Sequence, residues 1–320
     1  MGAFEFVGMS KRFIKHTALG VGVLAVTVLA WSRYTAPSLT THDEVRSEEQ
    51  STPPQWVWRE GNGGARASDP RIRCAAAMLV DNRAGAVIYA RNERETRPIA
   101  SLTKLLTSLV FLESGADLHN VVAITEEDAK ESSRSRLRPN DQYTLDDLLH
   151  AALMSSDNRA ARALSRSAGI PQAMFIARMN DKARALGMDS THVIEPTGLS
   201  TENVSTAYDC AILVNAALKN PVIREITSTQ KYMIQAFNRR RPLQLGNTNR
   251  LLDTDLHFVG AKTGFIVAAG WCVAARAVSP EGDDVTAIVL GAPSSGQRFR
   301  SLANALHWAF DLPRSRDSRP

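Results

Sequence analysis

Ser101 and Lys104 stand three residues apart at the head of an apolar run, Leu102-Thr103-Lys104-Leu105-Leu106. In a helix, positions i and i+3 share a face, which brings the hydroxyl and the amine within reach of each other. A serine is a weak nucleophile until a neighbouring base takes its proton, and a neutral amine is such a base. The pair therefore points to acyl transfer. The same spacing recurs at Ser228 and Lys231, so spacing alone does not decide. Two further triplets do, Ser156-Asp157-Asn158 and Lys262-Thr263-Gly264, which follow Ser101 in that order. A second hydroxyl can relay a proton and an amide can hold a substrate carbonyl. A lysine and a threonine beside strand backbone suit a peptide ending in a carboxylate.

These side chains need elements to hold them. Leu102, Leu105, Leu106, Leu109, Val110 and Leu112 mark the Ser101 helix as deeply buried. Burial is useful, because a lysine is a base only when neutral, and desolvation with a nearby cation lowers its pKa. Lys262 is the cation expected there. Thr144 fits a helix N-cap with Asp147 three residues on, and that helix delivers Ser155 and Ser156 to a turn. Taken alone, Ser156 and Asn158 would also serve as helix caps. Residues 74–80 and 86–90 read as a hairpin, and 257–263, 270–278 and 285–290 as strands, with Lys-Thr-Gly closing the first of these three. Helices are expected from Pro171 to Leu186 with Gly187 closing it, from Thr206 to before Asn220-Pro221, and over 297–311.

The chain has 320 residues, 44% apolar and 22% charged, with a net charge of +5. That is an ordinary globular composition with enough chain for one large domain or two small ones. The mild basic excess sits partly at the two ends, and no nucleic-acid motif accompanies it. Residues 1–31 read as a signal peptide or an uncleaved signal anchor, in which Lys11, Arg12 and Lys15 lead into an apolar run from Thr17 to Trp31. Residues 32–72 are rich in Ser, Thr, Pro, Gly and charge and read as a flexible linker, in which Trp56-Val57-Trp58 is a chance apolar cluster or a docking patch. A catalytic domain over 73–312 and a basic tail over 313–320 follow. Cys74, Cys210 and Cys272 lack metal-ligand spacing and read as small buried hydrophobes; an export pathway would also permit one disulfide, whose pairing is open. The histidines form no His-Glu-x-x-His or similar cluster, so neither a metal nor a cofactor is implied.

The three motifs together resemble the signature of penicillin-binding proteins and class A β-lactamases. Arg97-Pro98-Ile99-Ala100-Ser101, Ser135-Arg136-Leu137-Arg138, Ala152 through Ala161, Glu195-Pro196-Thr197-Gly198-Leu199-Ser200, Asn247-Thr248-Asn249 and Lys262-Thr263-Gly264-Phe265 carry the likeness to the low-molecular-mass penicillin-binding proteins, the D-alanyl-D-alanine endopeptidases and carboxypeptidases. The resemblance implies an α/β (α+β) fold, a mainly antiparallel sheet flanked by helices, with a helical lobe forming the other wall of a cleft. It also implies roles. Ser101 would be the nucleophile, Lys104 its base and Ser156 the proton relay. Asn158, Lys262, Thr263 and Gly264 would bind substrate, and the backbone N–H groups of Ser101 and Phe265 would form an oxyanion hole. The expected partners are the peptide stems of peptidoglycan, with β-lactam antibiotics as inhibitors, in an extracytoplasmic or periplasmic setting. A carboxypeptidase is the nearest alternative to an endopeptidase. Asp157 and the Glu195-Pro196 pair also resemble class A β-lactamases, and a non-catalytic β-lactam sensor or wall-binding protein is a third reading.

Overall fold

The structure, a computed structural model, describes residues 56–58, 70–130 and 135–312. The stretches expected to form a signal and a basic tail, and most of the stretch expected to be a linker, lie outside the described residues. No helix among the described residues is long and apolar enough to cross a membrane, and the apolar run 17–31 is not among them.

The chain begins one side of a sheet with β1 (Val57–Trp58), β2 (Ala76–Asp81) and β3 (Ala86–Arg91). A short strand β4 (Arg97–Pro98) and a 3-10 turn (Ala100–Leu102) lead into α1 (Thr103–Glu113). Helices dominate next: β5 (Val121–Ala123), α2 (Glu126–Ala129), β6 (Gln142–Thr144), α3 (Leu145–Leu153), α4 (Asn158–Arg166), α5 (Gln172–Ala185), β7 (Val204–Ser205), α6 (Ala207–Ala217) and α7 (Pro221–Ser228). The hairpin β8 (Lys231–Ile234) and β9 (Leu243–Gly246) then leads back to the sheet through β10 (His257–Ile266), β11 (Gly270–Val278) and β12 (Asp284–Ala292), and α8 (Ser295–Phe310) ends the described chain.

The sheet order is β1-β3-β2-β12-β11-β10, antiparallel throughout except for the β1–β3 pair. Both faces are covered. Ala77 and Leu79 of β2 pack with Leu302, Ala305 and Leu306 of α8, while Ala76, Met78 and Val80 turn to the other core with α1 and α6. Double burial explains why β2 reads as a continuous apolar run rather than an alternating one. Helix α1 is buried from Thr103 to Phe111 without interruption, as its sequence led us to expect.

Local signals set several boundaries. The Thr144 hydroxyl accepts from Asp147 N and starts α3, and Thr206 does the same for α6 through Asp209 N. Gly187 adopts φ 77 just past α5. Two expectations shift. Lys262-Thr263-Gly264 lies inside β10 rather than closing a strand, because pairing with β11 continues to Ile266↔Gly270. Trp56-Val57-Trp58, within the stretch read as a linker, contributes β1 at the sheet edge, and the Trp56 ring meets Tyr208 edge-on at 5.1 Å. Cys74, Cys210 and Cys272 are free thiols.

Candidate active site

Ser101 sits on the 3-10 turn, one residue after Ala100, whose φ of 49 is left-handed. Such a conformation costs a non-glycine residue roughly 1–2 kcal/mol, so the surroundings must impose it. Two backbones press on the turn. A Cβ at Gly198 would fall 1.9 Å from the Ala100 carbonyl oxygen, and a Cβ at Gly264 would come within 3.0 Å of Ser101 N. The absence of side chains at these two positions lets the 195–200 loop and β10 clamp the Ser101 turn from either side. Ile99 N, donating to Asn203 O at 3.1 Å, fixes the approach.

Beneath Ser101 lies Lys104, completely buried. Its Nζ contacts three oxygens: Ser101 Oγ at 3.0 Å, Asn158 Oδ1 at 2.6 Å and Thr197 O at 2.6 Å. The last two only accept. A neutral amine satisfies both with its two N–H bonds and turns its lone pair to the Ser101 O–H. Burial lowers the Lys104 pKa to about 7; Glu195 and Asp157 oppose the shift, and Arg162 adds to it. The helper cation is thus Arg162, and Lys262, expected in that part, is itself depressed by Lys104.

The second wall comes from the junction of α3 and α4. Asp157 is the N-cap of α4, its Oδ1 accepting from Arg159 N at 2.9 Å and Ala160 N at 3.1 Å, while its Oδ2 takes the Ser135 hydroxyl at 2.6 Å. The capping task therefore falls to Asp157, which frees its neighbours. Ser156, held at φ 60, accepts from Lys262 Nζ at 2.8 Å, and Asn158 turns to Lys104.

Strand β10 supplies the third side. Lys262 is buried, and burial, followed by the charges of Lys104 and Arg298, lowers its pKa well below the ordinary lysine value. Its Nζ also donates to Thr263 O at 3.0 Å. The Thr263 hydroxyl donates to Thr248 Oγ1 at 2.8 Å, and Phe265 stacks on Trp271 with ring centroids 4.1 Å apart. A cleft of about 780 Å³ is lined by Ser101, Ser156, Asn158, Thr263, Gly264 and Phe265, among others. The two lysines lie below its floor, each reaching a serine that faces it.

Sequence reasoning did not single out Arg298 or the Thr197 carbonyl. Arg298 is buried on α8, donates to Gly264 O at 3.1 Å and Cys272 O at 3.2 Å, and lies over the Trp271 and Phe299 rings. Burial brings its pKa down to about 10. Its position 36 residues after Lys262 on another element leaves no local signal, and a backbone carbonyl leaves none at all. The second Ser-x-x-Lys does no such work: Ser228 donates to Arg224 O and Glu225 O at the end of α7, and Lys231 is exposed on β8.

A cleft that joins a buried Ser-x-x-Lys, a Ser-Asp-Asn turn and a strand-borne Lys-Thr-Gly is set up for serine acyl transfer. Residues 64–294 match the family model described as D-alanyl-D-alanine carboxypeptidase. The chain belongs to this serine DD-peptidase family. It is 37% identical over 245 residues to a D-alanyl-D-alanine endopeptidase of Escherichia coli, covering 76% of this chain and 79% of that one. It is 36% identical over 240 residues to one of Pseudomonas aeruginosa, with 74% and 77% covered. Among solved structures, the DD-transpeptidase of Streptomyces K15 superposes with a TM-score of 0.72 at 27% identity, covering 77% of this chain and 100% of that one. A D-alanyl-D-alanine carboxypeptidase from Mycobacterium tuberculosis gives 0.71 at 28%, with 79% and 96% covered. The protein is a serine hydrolase with the penicillin-binding protein fold.

Glu195 is held within its own loop. Its carboxylate accepts from Thr197 N, Thr197 Oγ1 and Gly198 N at 2.6–2.7 Å and from Asn203 Nδ2 at 3.1 Å. It lines a separate hollow with Arg162 and Arg166 rather than the Ser101 cleft. A carboxylate so occupied holds its own loop, and with it the Thr197 carbonyl on Lys104; it is not poised to activate a water for deacylation.

Proposed function

We propose that the chain is a DD-endopeptidase that cuts the bond joining D-alanine to the cross-linking diamino acid of peptidoglycan. The observation that carries the reading is the Lys104 amine, buried and bonded to Ser101 Oγ. Lys104 takes the Ser101 proton as Oγ attacks the carbonyl of the D-alanine. The negative charge that forms on that oxygen is received by the Ser101 and Phe265 N–H groups, each such donor being worth about 3–4 kcal/mol. Ser156, held by Lys262, relays to the departing amine the proton that Lys104 took from Ser101, Asn158 holds the peptide, and Lys262 with Thr263 binds the carboxylate beside the scissile bond. Water then releases the acyl group from Ser101.

Endopeptidase relatives such as those of Escherichia coli and Pseudomonas aeruginosa favour this bond over a terminal D-alanyl-D-alanine, the substrate of a carboxypeptidase. Penicillins would acylate Ser101 and leave slowly, since the deacylating glutamate of a β-lactamase has no counterpart in Glu195. The leader pattern in residues 11–31 favours a periplasmic site of action, with the enzyme secreted or tethered at the inner membrane.

The test is product analysis by mass spectrometry after incubating the full chain, and its Ser101→Ala variant, with cross-linked muropeptide dimers and with pentapeptide monomers. Conversion of dimers to monomers, absent from the variant, is the expected result. Release of terminal D-alanine alone would make the enzyme a carboxypeptidase, and rapid penicillin hydrolysis with neither peptide cut would make it a β-lactamase.

A further inference from the structure

Charge is unevenly distributed around the cleft. Asp157 is the one carboxylate among the described lining residues, and its two oxygens already serve Arg159 N, Ala160 N and Ser135 Oγ. Two arginines line the same space. Arg298 is buried and committed to two carbonyls. Arg250 is different. It is exposed, and it forms no ion pair or hydrogen bond through its side chain among the described residues, not even with Asp253 three positions on.

The position of Arg250 is nevertheless tightly built. It opens a 3-10 turn (Arg250–Asp253) whose N-cap is Asn249, a side chain only 2% exposed that accepts from Leu251 N at 3.1 Å. Asn247, anchored on Thr227 O and Thr229 O, accepts from Asn249 N at 2.9 Å. Between these two asparagines, Thr248 meets the Thr263 hydroxyl. Arg250 is therefore carried on a rigid turn at the Thr263 end of the cleft, near enough to Arg298 for its charge to be felt there.

On the endopeptidase reading, on which this inference rests, Thr263 marks the leaving-group side. A lone D-alanine leaving that side carries one carboxylate. A leaving peptide stem carries that carboxylate equivalent and at least one more further along the chain. We infer that Arg250 receives this second carboxylate and thereby selects cross-linked dimers over pentapeptides. The guanidinium offers a planar fork of donors that matches a carboxylate, and it is held without an internal partner that a substrate would have to displace.

The experiment compares the full-length enzyme with Arg250→Gln and Arg250→Lys on three substrates: a muropeptide dimer, the same dimer with its acceptor-stem carboxylates amidated except the one beside the scissile bond, and a pentapeptide monomer. The ratio of kcat/KM for dimer to that for pentapeptide should fall about five- to tenfold in Arg250→Gln, mainly through KM, as expected for loss of one charge-assisted contact. Arg250→Lys should recover part of the ratio, and amidation should abolish the difference between the enzymes. An unchanged ratio in Arg250→Gln, with wild-type enzyme cutting dimers, overturns the role of Arg250 and leaves the endopeptidase reading standing. Failure of wild-type enzyme to cut dimers while it cuts pentapeptides overturns both. Equal loss on all three substrates would mean that Arg250 supports the turn alone, and that too overturns selection by charge.

Discussion

Two lysines lie under the same cleft, each beside a serine, and their surroundings differ in one respect. Lys104 has three oxygens around it, two of which only accept and one of which is a hydroxyl able to reverse its bond. Lys262 has the Ser156 hydroxyl and the carbonyl of the next residue in its own strand. The first environment suits an amine that must lose and regain a proton, because a neutral Lys104 keeps every partner. The second sits at the Thr263 end, where the proposed mechanism binds a carboxylate and calls for positive charge. Burial depresses both, and a charge on Lys104 further disfavours a charge on Lys262.

Substitutions can break this contrast in order of expected effect. Ser101→Ala should abolish the penicilloyl adduct and peptide cleavage altogether, as read by intact-protein mass spectrometry. Lys104→Arg should lower the acylation rate by about 10²- to 10⁴-fold, the range of a lost general base, since a guanidinium cannot be neutral near pH 7. Lys262→Arg keeps a cation where one is wanted, so its loss in acylation rate should be about tenfold and at least ten times smaller than that at Lys104. An equal loss at the two positions would erase the distinction. Glu195→Gln weakens the support of the Thr197 carbonyl and should cost about 1–3 kcal/mol of stability, measured by denaturant unfolding. Penicilloyl release should be no slower in that variant; a selective block of release would restore the β-lactamase reading.

Much of this arrangement was legible in the chain. The Ser101–Lys104 pair follows from helical spacing, and Thr144 and Thr206 announced their helices through side-chain caps, which are local chemistry. Strands β10 to β12 were visible in their apolar, β-branched runs. What escaped was set by distant contacts. The left-handed φ of Ala100 and Ser156 depends on neighbours more than 90 residues away, among them Gly198 and Lys262. The edge strand at Val57–Trp58 is stabilised by β3 and Tyr208, so a window over the linker composition alone does not reveal it. Asn220-Pro221 serves as N-cap and N1 of α7, and because the same pair also reads as the stop of α6, the sequence does not separate the end of one helix from the start of the next. Residues outside the described ranges carry the expectations of a leader, a flexible linker and a basic tail.

The pH dependence of Ser101 acylation by a penicillin tests the role of Lys104 most directly. In the proposed mechanism the reactive species has a neutral Lys104, and burial depresses its folded pKa to about 7. Protonation below that value removes the base, so the second-order acylation rate should climb about tenfold per pH unit below pH 7 and level off above it. A rate that is flat from pH 5 to 9, or that begins to rise only near the ordinary lysine value, would contradict the assignment of Lys104 as the base.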